Sequence, residues 1–233
     1  MNIPIAILAG GFATRLHPQT LDIPKSLIKI NNRPFIDYQL YQLTNQGFKK
    51  IVLCLGHKAD QIIDYVGQGD RYNLKIEFSV ESEPLGTGGA LKNASYLLGE
   101  KFGILYGDSY LPIDLREIIE ASTQSTKLAI MTVFKNLNRY DRSNVSFNGD
   151  HSILYSKKKN DETMTHIDYG FSVMNKRALL RIPDDNFYDL SNLWESLSRD
   201  NELDGYRVNK RFYEIGSREG IVDFQNFLKR EKQ

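Results

Sequence analysis

Cysteine and tryptophan each occur once in 233 residues, so no disulfide can close within one chain and the fold cannot rest on covalent staples. The lone thiol, Cys54, lies in the apolar run IVLCLG, where a buried strand residue is expected rather than a nucleophile. An excess of one charge is lacking too. Thirty basic against 29 acidic residues leave a net charge of +1, which gives no overall field toward nucleic acid or an anionic membrane. No stretch approaches the roughly 20 apolar residues of a membrane helix. The opening MNIPIAILAGG has no basic segment before its short apolar run, which is unlike a secretory leader, and a cytoplasmic location is expected. The four histidines (His17, His57, His151 and His166) lack metal spacing such as H-x-x-x-H and read as structural or surface residues. Internal repeats, low-complexity tracts and long linkers are absent as well, which favours a single domain.

What is present is the balance of a packed globular protein, with 41% hydrophobic and 25% charged residues. Four short β-rich runs, at 3–8, 51–55, 76–80 and 102–106, read as buried strands. Helical patterns fall between them at 34–46, ended by Gly47, at 58–65 and at 89–98. Such alternation predicts a mixed, mostly parallel sheet with helices on both faces, a Rossmann-like three-layer α/β/α domain. The second half is less regular. It offers a strand at 128–134, a hairpin pairing 144–147 with 152–156, a strand at 169–174 and a terminal helical pattern at 221–228.

The chemistry concentrates just after the first strand, in Leu8-Ala9-Gly10-Gly11, followed by Arg15 and, ten residues on, Lys25. A glycine pair at a strand's carboxyl end lets backbone N–H groups approach an anion with no Cβ in the way. Arg15 and Lys25 add a bidentate fork and a compact point charge, a pairing suited to a polyphosphate. The two common phosphate motifs fit poorly: there is no G-x-x-x-x-G-K-[ST], and Gly10-Gly11 with Ala13 does not complete G-x-G-x-x-G.

The run GGFATRLHPQTLDIPKSLIKINNRPFIDYQL, Gly10 to Leu40, resembles the opening of the sugar-1-phosphate nucleotidylyltransferases, roughly GGxGTRLxPLTxxxPKPLxxVxxxPxxxxxL. Three further stretches follow in that family's order: EPLGTGGA from Glu83, YGD ending at Asp108, and YEIGS containing Glu214. The chain is most similar to the short single-domain members that make GDP-heptose, GDP-mannose or UDP-N-acetylmuramate. The resemblance implies one domain over 1–233, with a nucleotide-binding half at 1–115 and an acceptor-binding half with the C-terminal helix at 116–233. It implies a nucleoside triphosphate, GTP first, and a sugar 1-phosphate as partners, with an NDP-sugar and pyrophosphate as products.

The same resemblance implies roles for residues. Arg15 and Lys25 would act on phosphate charge as catalytic groups. Leu8, Ala9, Gly10, Gly11, Glu83 and Gly88 would bind the nucleotide. Asp108 and Glu214 would hold Mg2+, although the family usually has aspartate at the second position. A Glu-Lys-Pro that contacts sugar in the family appears here as Lys157-Lys158-Lys159, retaining only Lys158. Asn144, Asp168 and Tyr169 are the substitutes on the acceptor side. Two other readings stay open at this level: a cytidylyltransferase for a non-sugar phosphate such as phosphocholine, and a non-catalytic nucleotide-sugar-binding regulatory subunit. The irregular second half is the expected face of any homodimer.

Overall fold

The structure, a computed structural model, describes residues 3–11, 16, 21–157, 162–184 and 187–231. Strands β1 (Ile5–Leu8), β4 (Lys50–Leu55), β5 (Lys75–Val80) and β6 (Lys101–Tyr106) carry the four apolar runs of the first half. Between the first two lie β2 (Lys29–Ile30) and β3 (Arg33–Pro34), joined through Asn31 and Asn32. Both asparagines take left-handed backbone, φ 49° and 65°, as a two-residue hairpin of this hand requires. The later strands are β7 (Ser109–Tyr110), β8 (Ala129–Lys135), β9 (Val145–Phe147), β10 (Ile153–Tyr155), β11 (His166–Asn175), β12 (Leu203–Val208) and β13 (Tyr213–Glu214).

Among the described residues, nine strands form one sheet. β1 pairs in parallel with β4 and β6, and β4 with β5. The long β11 then joins the two halves: it runs antiparallel to β6 on one hand and to β8 on the other, and β8 carries β12 in parallel. β7 and β13 form a separate two-stranded ribbon. The sheet is thus mixed, parallel in its first half and largely antiparallel in its second.

Period-two alternation of apolar residues decides which face each side chain serves. Ile5, Ile7, Ile51, Leu53 and Leu55 point to one face and Ala6, Val52 and Cys54 to the other. On the first face they meet α1 (Phe35–Asn45), α2 (Ala59–Val66) and α4 (Leu115–Gln124) through Leu40, Ile62 and Ile118. On the second they meet α3 (Gly86–Asn93) and α5 (Leu190–Arg199) through Leu91, Leu193 and Trp194. This is the three-layer arrangement expected from the alternation of runs. Among the described residues no helix is long and apolar enough to cross a membrane.

Local signals account for the ends of α1 and α3. Gly47, at φ +82°, donates to Thr44 O while Phe48 N–H donates to Leu43 O, the paired bonds of a Schellman motif. α3 begins at Gly86, earlier than the pattern at 89–98 suggests, through a GTGG stretch of poor helix propensity. Tertiary contact overrides that propensity: the Tyr188 carbonyl accepts from both Gly88 N–H and Gly89 N–H, at 2.8 and 3.1 Å. Gly86 must be glycine there, since its φ is +71° and an added Cβ would sit 2.8 Å from the Tyr188 carbonyl oxygen.

The C-terminal helix α6 (Arg218–Arg230) starts with Ser217 Oγ accepting from Gly220 N–H at 3.0 Å. One fully buried ring anchors it. Phe224 packs on Phe35, Tyr38 and Tyr110 with centroids 5.5, 5.3 and 4.9 Å away, closing a small core under the β7–β13 ribbon. Phe224→Ala is expected to lower unfolding free energy by about 3–5 kcal/mol, read from urea denaturation. A loss below 1 kcal/mol would show that α6 is not held by this ring.

Candidate active site

Parallel strands end together, and their carboxyl ends open one cavity of about 630 Å³. Its walls take Leu8 to Gly11 from the end of β1, Cys54 from β4, Glu81 just past β5, and Tyr106 to Ser109 from β6 and the turn after it. Lys25, on a 3-10 turn at Lys25–Leu27, enters the same space. The floor is built of backbone. Gly107 N–H donates to Leu8 O at 3.0 Å, and a Cβ on Gly107 would lie 2.5 Å from that oxygen, so only glycine lets β6 turn beside β1. Among the described residues neither Gly10 N–H nor Gly11 N–H has a backbone acceptor. A Cβ on Gly11 would meet nothing within 4 Å, so the glycine borders open space, and an unbonded backbone N–H beside it suits an anion.

Lys25 Nζ lies 2.8 Å from Asp108 Oδ2, with both side chains about a quarter exposed or less. Glu214 pairs with Ser109 across the β7–β13 ribbon, and Ile215 N–H donates to Asp108 O at 2.9 Å. The ribbon therefore brings two carboxylates 106 positions apart in sequence to one cavity wall. No group of three or more metal-ligating side chains exists among the described residues. Two carboxylates facing a polyphosphate space suit a hard divalent cation that completes its shell with phosphate and water oxygens. Ser26 adds to the fit: it is buried in the wall, and its Oγ has no hydrogen-bond partner among the described residues.

The far end of the cavity is polar and held in place. Asp168 on β11 accepts from Tyr106 Oη at 2.7 Å and from Gly170 N–H at 3.0 Å, while its own N–H donates to Asn144 Oδ1 at 2.9 Å. Burial pushes its carboxyl up to about 6, against the opposing effect of the two donors. Burial likewise raises the Tyr106 phenol, with the Asp168 charge adding to it. Lys157 lines the same end, its Nζ 3.2 Å from Asp189 Oδ2.

Several sequence expectations meet a different arrangement. Glu83 is exposed and outside the cavity wall; Glu81, two residues earlier, lines it, accepts from Leu85 N–H at 3.2 Å and packs across Gly10 and Gly56. Its carboxyl is raised by burial. Gly88 is buried, with its N–H committed to the Tyr188 carbonyl and no space beside it for a side chain. Tyr169 touches the cavity, yet its ring is 1% exposed in the core on Phe134 and Phe212, and its hydroxyl donates to Arg211 O. Leu8, Ala9, Gly10, Gly11, Lys25, Asp108, Asn144, Asp168 and Glu214 all line one cavity. Arg15, Ala13 and Lys158 lie outside the described residues. Cys54, 2% exposed, has its thiol raised to about 12 by burial, as a strand residue and not a nucleophile.

Glu81 could have been found from the strand at 76–80 alone, because the residue after a parallel strand faces the ligand edge. Asp189, Phe187 and Arg142 also line the cavity, and no motif marks them.

Comparison with known proteins fits this geometry. Residues 5–143 match the family described as Nucleotidyl transferase, and the chain belongs to it. Over 220 residues it is 30% identical to D-glycero-alpha-D-manno-heptose 1-phosphate guanylyltransferase of Aneurinibacillus thermoaerophilus, covering 93% of this chain and 90% of that protein. Over 118 residues it is 43% identical to mannose-1-phosphate guanyltransferase of Aspergillus oryzae, covering 49% of this chain and 32% of that longer one. Among solved structures, HddC of Yersinia pseudotuberculosis complexed with GMP-PN superposes with a TM-score of 0.78 at 29% identity, covering 97% of this chain and 99% of that one.

The Asp168 environment has a thermodynamic signature. Its folded carboxyl titrates above the unfolded one, so it favours folding at low pH, and that contribution is lost as pH rises from 3.8 through about 6. The melting temperature of the wild type minus that of Asp168→Asn is therefore expected to fall between pH 4 and pH 7. A difference that is flat or rises over this window would contradict the buried, charge-averse setting.

Proposed function

We propose that the protein joins GTP and a manno-configured sugar 1-phosphate into a GDP-sugar with release of pyrophosphate. The observation that carries this reading is the meeting of the Gly10-Gly11 turn, Lys25 and Asp108 at one strand edge, with Lys25 Nζ 2.8 Å from Asp108 Oδ2. It is supported by a guanylyltransferase relative matching nearly the whole chain, and by the manno configuration shared by the names of both relatives. That full-length likeness weighs against a phosphocholine acceptor and against a non-catalytic subunit.

The chemistry follows from charge. An oxygen of the acceptor phosphate attacks the α-phosphorus of GTP, a new P–O bond forms, the bond from the α-phosphorus to the bridging oxygen breaks, and pyrophosphate leaves. The acceptor phosphate is already an anion at neutral pH, so the barrier is chiefly the approach of two anions and no general base is required. Gly10 and Gly11 present N–H groups to the triphosphate, and Lys25 brings its ammonium to the phosphates beside the reacting phosphorus. Arg15, assigned from the motif, faces the charge that grows on pyrophosphate. Asp108 and Glu214 would hold Mg2+, which neutralises phosphate charge when bound. At the far end Asp168, oriented by Tyr106 and Asn144, accepts hydrogen bonds from acceptor hydroxyls, and Lys157 lines the same end of the cavity.

Pyrophosphate release measured with GTP, UTP, CTP, dTTP and ATP against mannose, heptose and glucose 1-phosphates and phosphocholine tests the reading. GTP with a manno sugar is expected to be fastest, and turnover confined to phosphocholine would sink it. Asp108→Asn and Lys25→Met are each expected to lower kcat by on the order of a hundredfold, as removal of a preorganised charge does. Turnover within fivefold of wild type for either would remove that residue from the chemistry.

A further inference from the structure

Gln39 is fully buried, on α1, and contributes nothing to the apolar core. Its Nε2 donates to two carbonyls, Tyr106 O at 2.9 Å and Ser109 O at 2.8 Å. Those are the residues on either side of Gly107-Asp108, so one primary amide ties both ends of the turn that carries the carboxylate. A buried amide on a helix facing the hydrophobic layer costs desolvation, which its two used N–H donors offset, while its Oε1 has no partner among the described residues. The pattern continues along the same helix face. Gln42 donates to Leu111 O, and Gln46 donates to Ile113 O at 2.8 Å while accepting from Leu115 N–H at 2.9 Å. Positions 39, 42 and 46 lie on one side of a helix, so three glutamines grip the chain from Tyr106 to Leu115 as it leaves the sheet.

The turn needs such a grip. Gly107 gives up side-chain packing to pass beside Leu8 O, and beyond Tyr106 the chain leaves β6 for a two-residue ribbon strand. Apart from the glutamines, three contacts hold Asp108: its backbone carbonyl accepts from Ile215 N–H, its Oδ1 accepts from Ser109 Oγ at 3.5 Å, and its Oδ2 meets Lys25. The geometry points to Gln39 as a positioning residue that sets the Asp108 carboxylate for a divalent cation at the nucleotide phosphates, with Gln42 and Gln46 anchoring the same segment downstream. The inference rests on the proposed metal-holding role of Asp108. Gln39 touches neither nucleotide nor cation, so it acts only through the turn.

The test reads binding and not turnover. The affinity of GTP for the protein is measured by calorimetry with and without Mg2+, in the absence of acceptor, and the ratio gives the coupling between cation and nucleotide. Gln39→Met keeps length and volume but deletes both donors. It is expected to reduce that coupling at least fivefold while leaving GTP affinity without Mg2+ within twofold of wild type. Gln46→Met cuts the same row of glutamines away from Asp108, and is expected to lower the melting temperature with the coupling unchanged. Should Gln39→Met not fold, Gln39→Asn, whose shorter amide cannot span both carbonyls, is expected to reduce the coupling at least threefold. Wild-type GTP binding that gains nothing from Mg2+, or Asp108→Asn that loses nothing, overturns the metal site and this inference with it. Loss of coupling in Asp108→Asn without loss in the Gln39 variants, or equal loss in Gln46→Met, overturns the positioning role alone.

Discussion

The close approach of two backbones, Gly107 N–H on Leu8 O, governs the rest of the molecule. It allows β6 to run in parallel beside β1 to the very end and then turn, so that the glycine turn after β1 and the carboxylate after β6 share one opening. A Cβ at position 107 would sit 2.5 Å from Leu8 O and 3.0 Å from Ala9 Cα, so the two backbones would have to part. Everything that binds phosphate charge is placed relative to this crossing. Lys25 arrives from the 3-10 turn between β1 and α1, and Glu214 from the ribbon that starts one residue after Asp108.

Two halves of different character share the sheet. The parallel half supplies backbone and small residues together with the charged side chains of Lys25, Glu81 and Asp108, which suit a common feature such as a polyphosphate. The antiparallel half supplies side chains, including Asp168 and Asn144, which suit a variable one. β11 is the hinge between these tasks because it pairs with β6 through Phe171 to Asn175 and carries Asp168 beyond that stretch into the cavity. Two acidic side chains on other elements, Asp168 on β11 and Asp189 just before α5, line this end of the cavity.

Of the first-half strands, β1, β4 and β6 were legible as apolar runs buried on both faces and β5 by its β-rich run beside them, and the Gly10 to Leu40 stretch pointed to the phosphate edge. Other elements were hidden for distinct reasons. β12 reads LDGYRV, with Gly205 where Ile153 and Phe147 press against the backbone, so no alternation announces it. α5 does carry Leu190, Leu193, Trp194 and Leu197 at helical spacing, and the polar residues between them obscured it. Glu81 was missed for Glu83 because a motif was followed in place of a strand end. Neighbouring residues on a strand face opposite layers, so Tyr169 lines the cavity beside Asp168 while its ring packs in the core on Phe134 and Phe212. Gln39 could not be read at all, for a glutamine between apolar residues looks like an ordinary solvated position until its burial is known.

The clasp between Tyr188 and the start of α3 reaches beyond local stability. Its carbonyl holds the glycine loop over the nucleotide end, while the adjoining Asp189 holds Lys157 at the other end, and Leu190 N–H returns to Thr87 Oγ1 at 2.9 Å. Three consecutive residues thereby tie the start of α3 to Lys157 across the cavity. The two ends of the cavity wall thus share one short stretch of backbone, and a shift of residues 188–190 would move both.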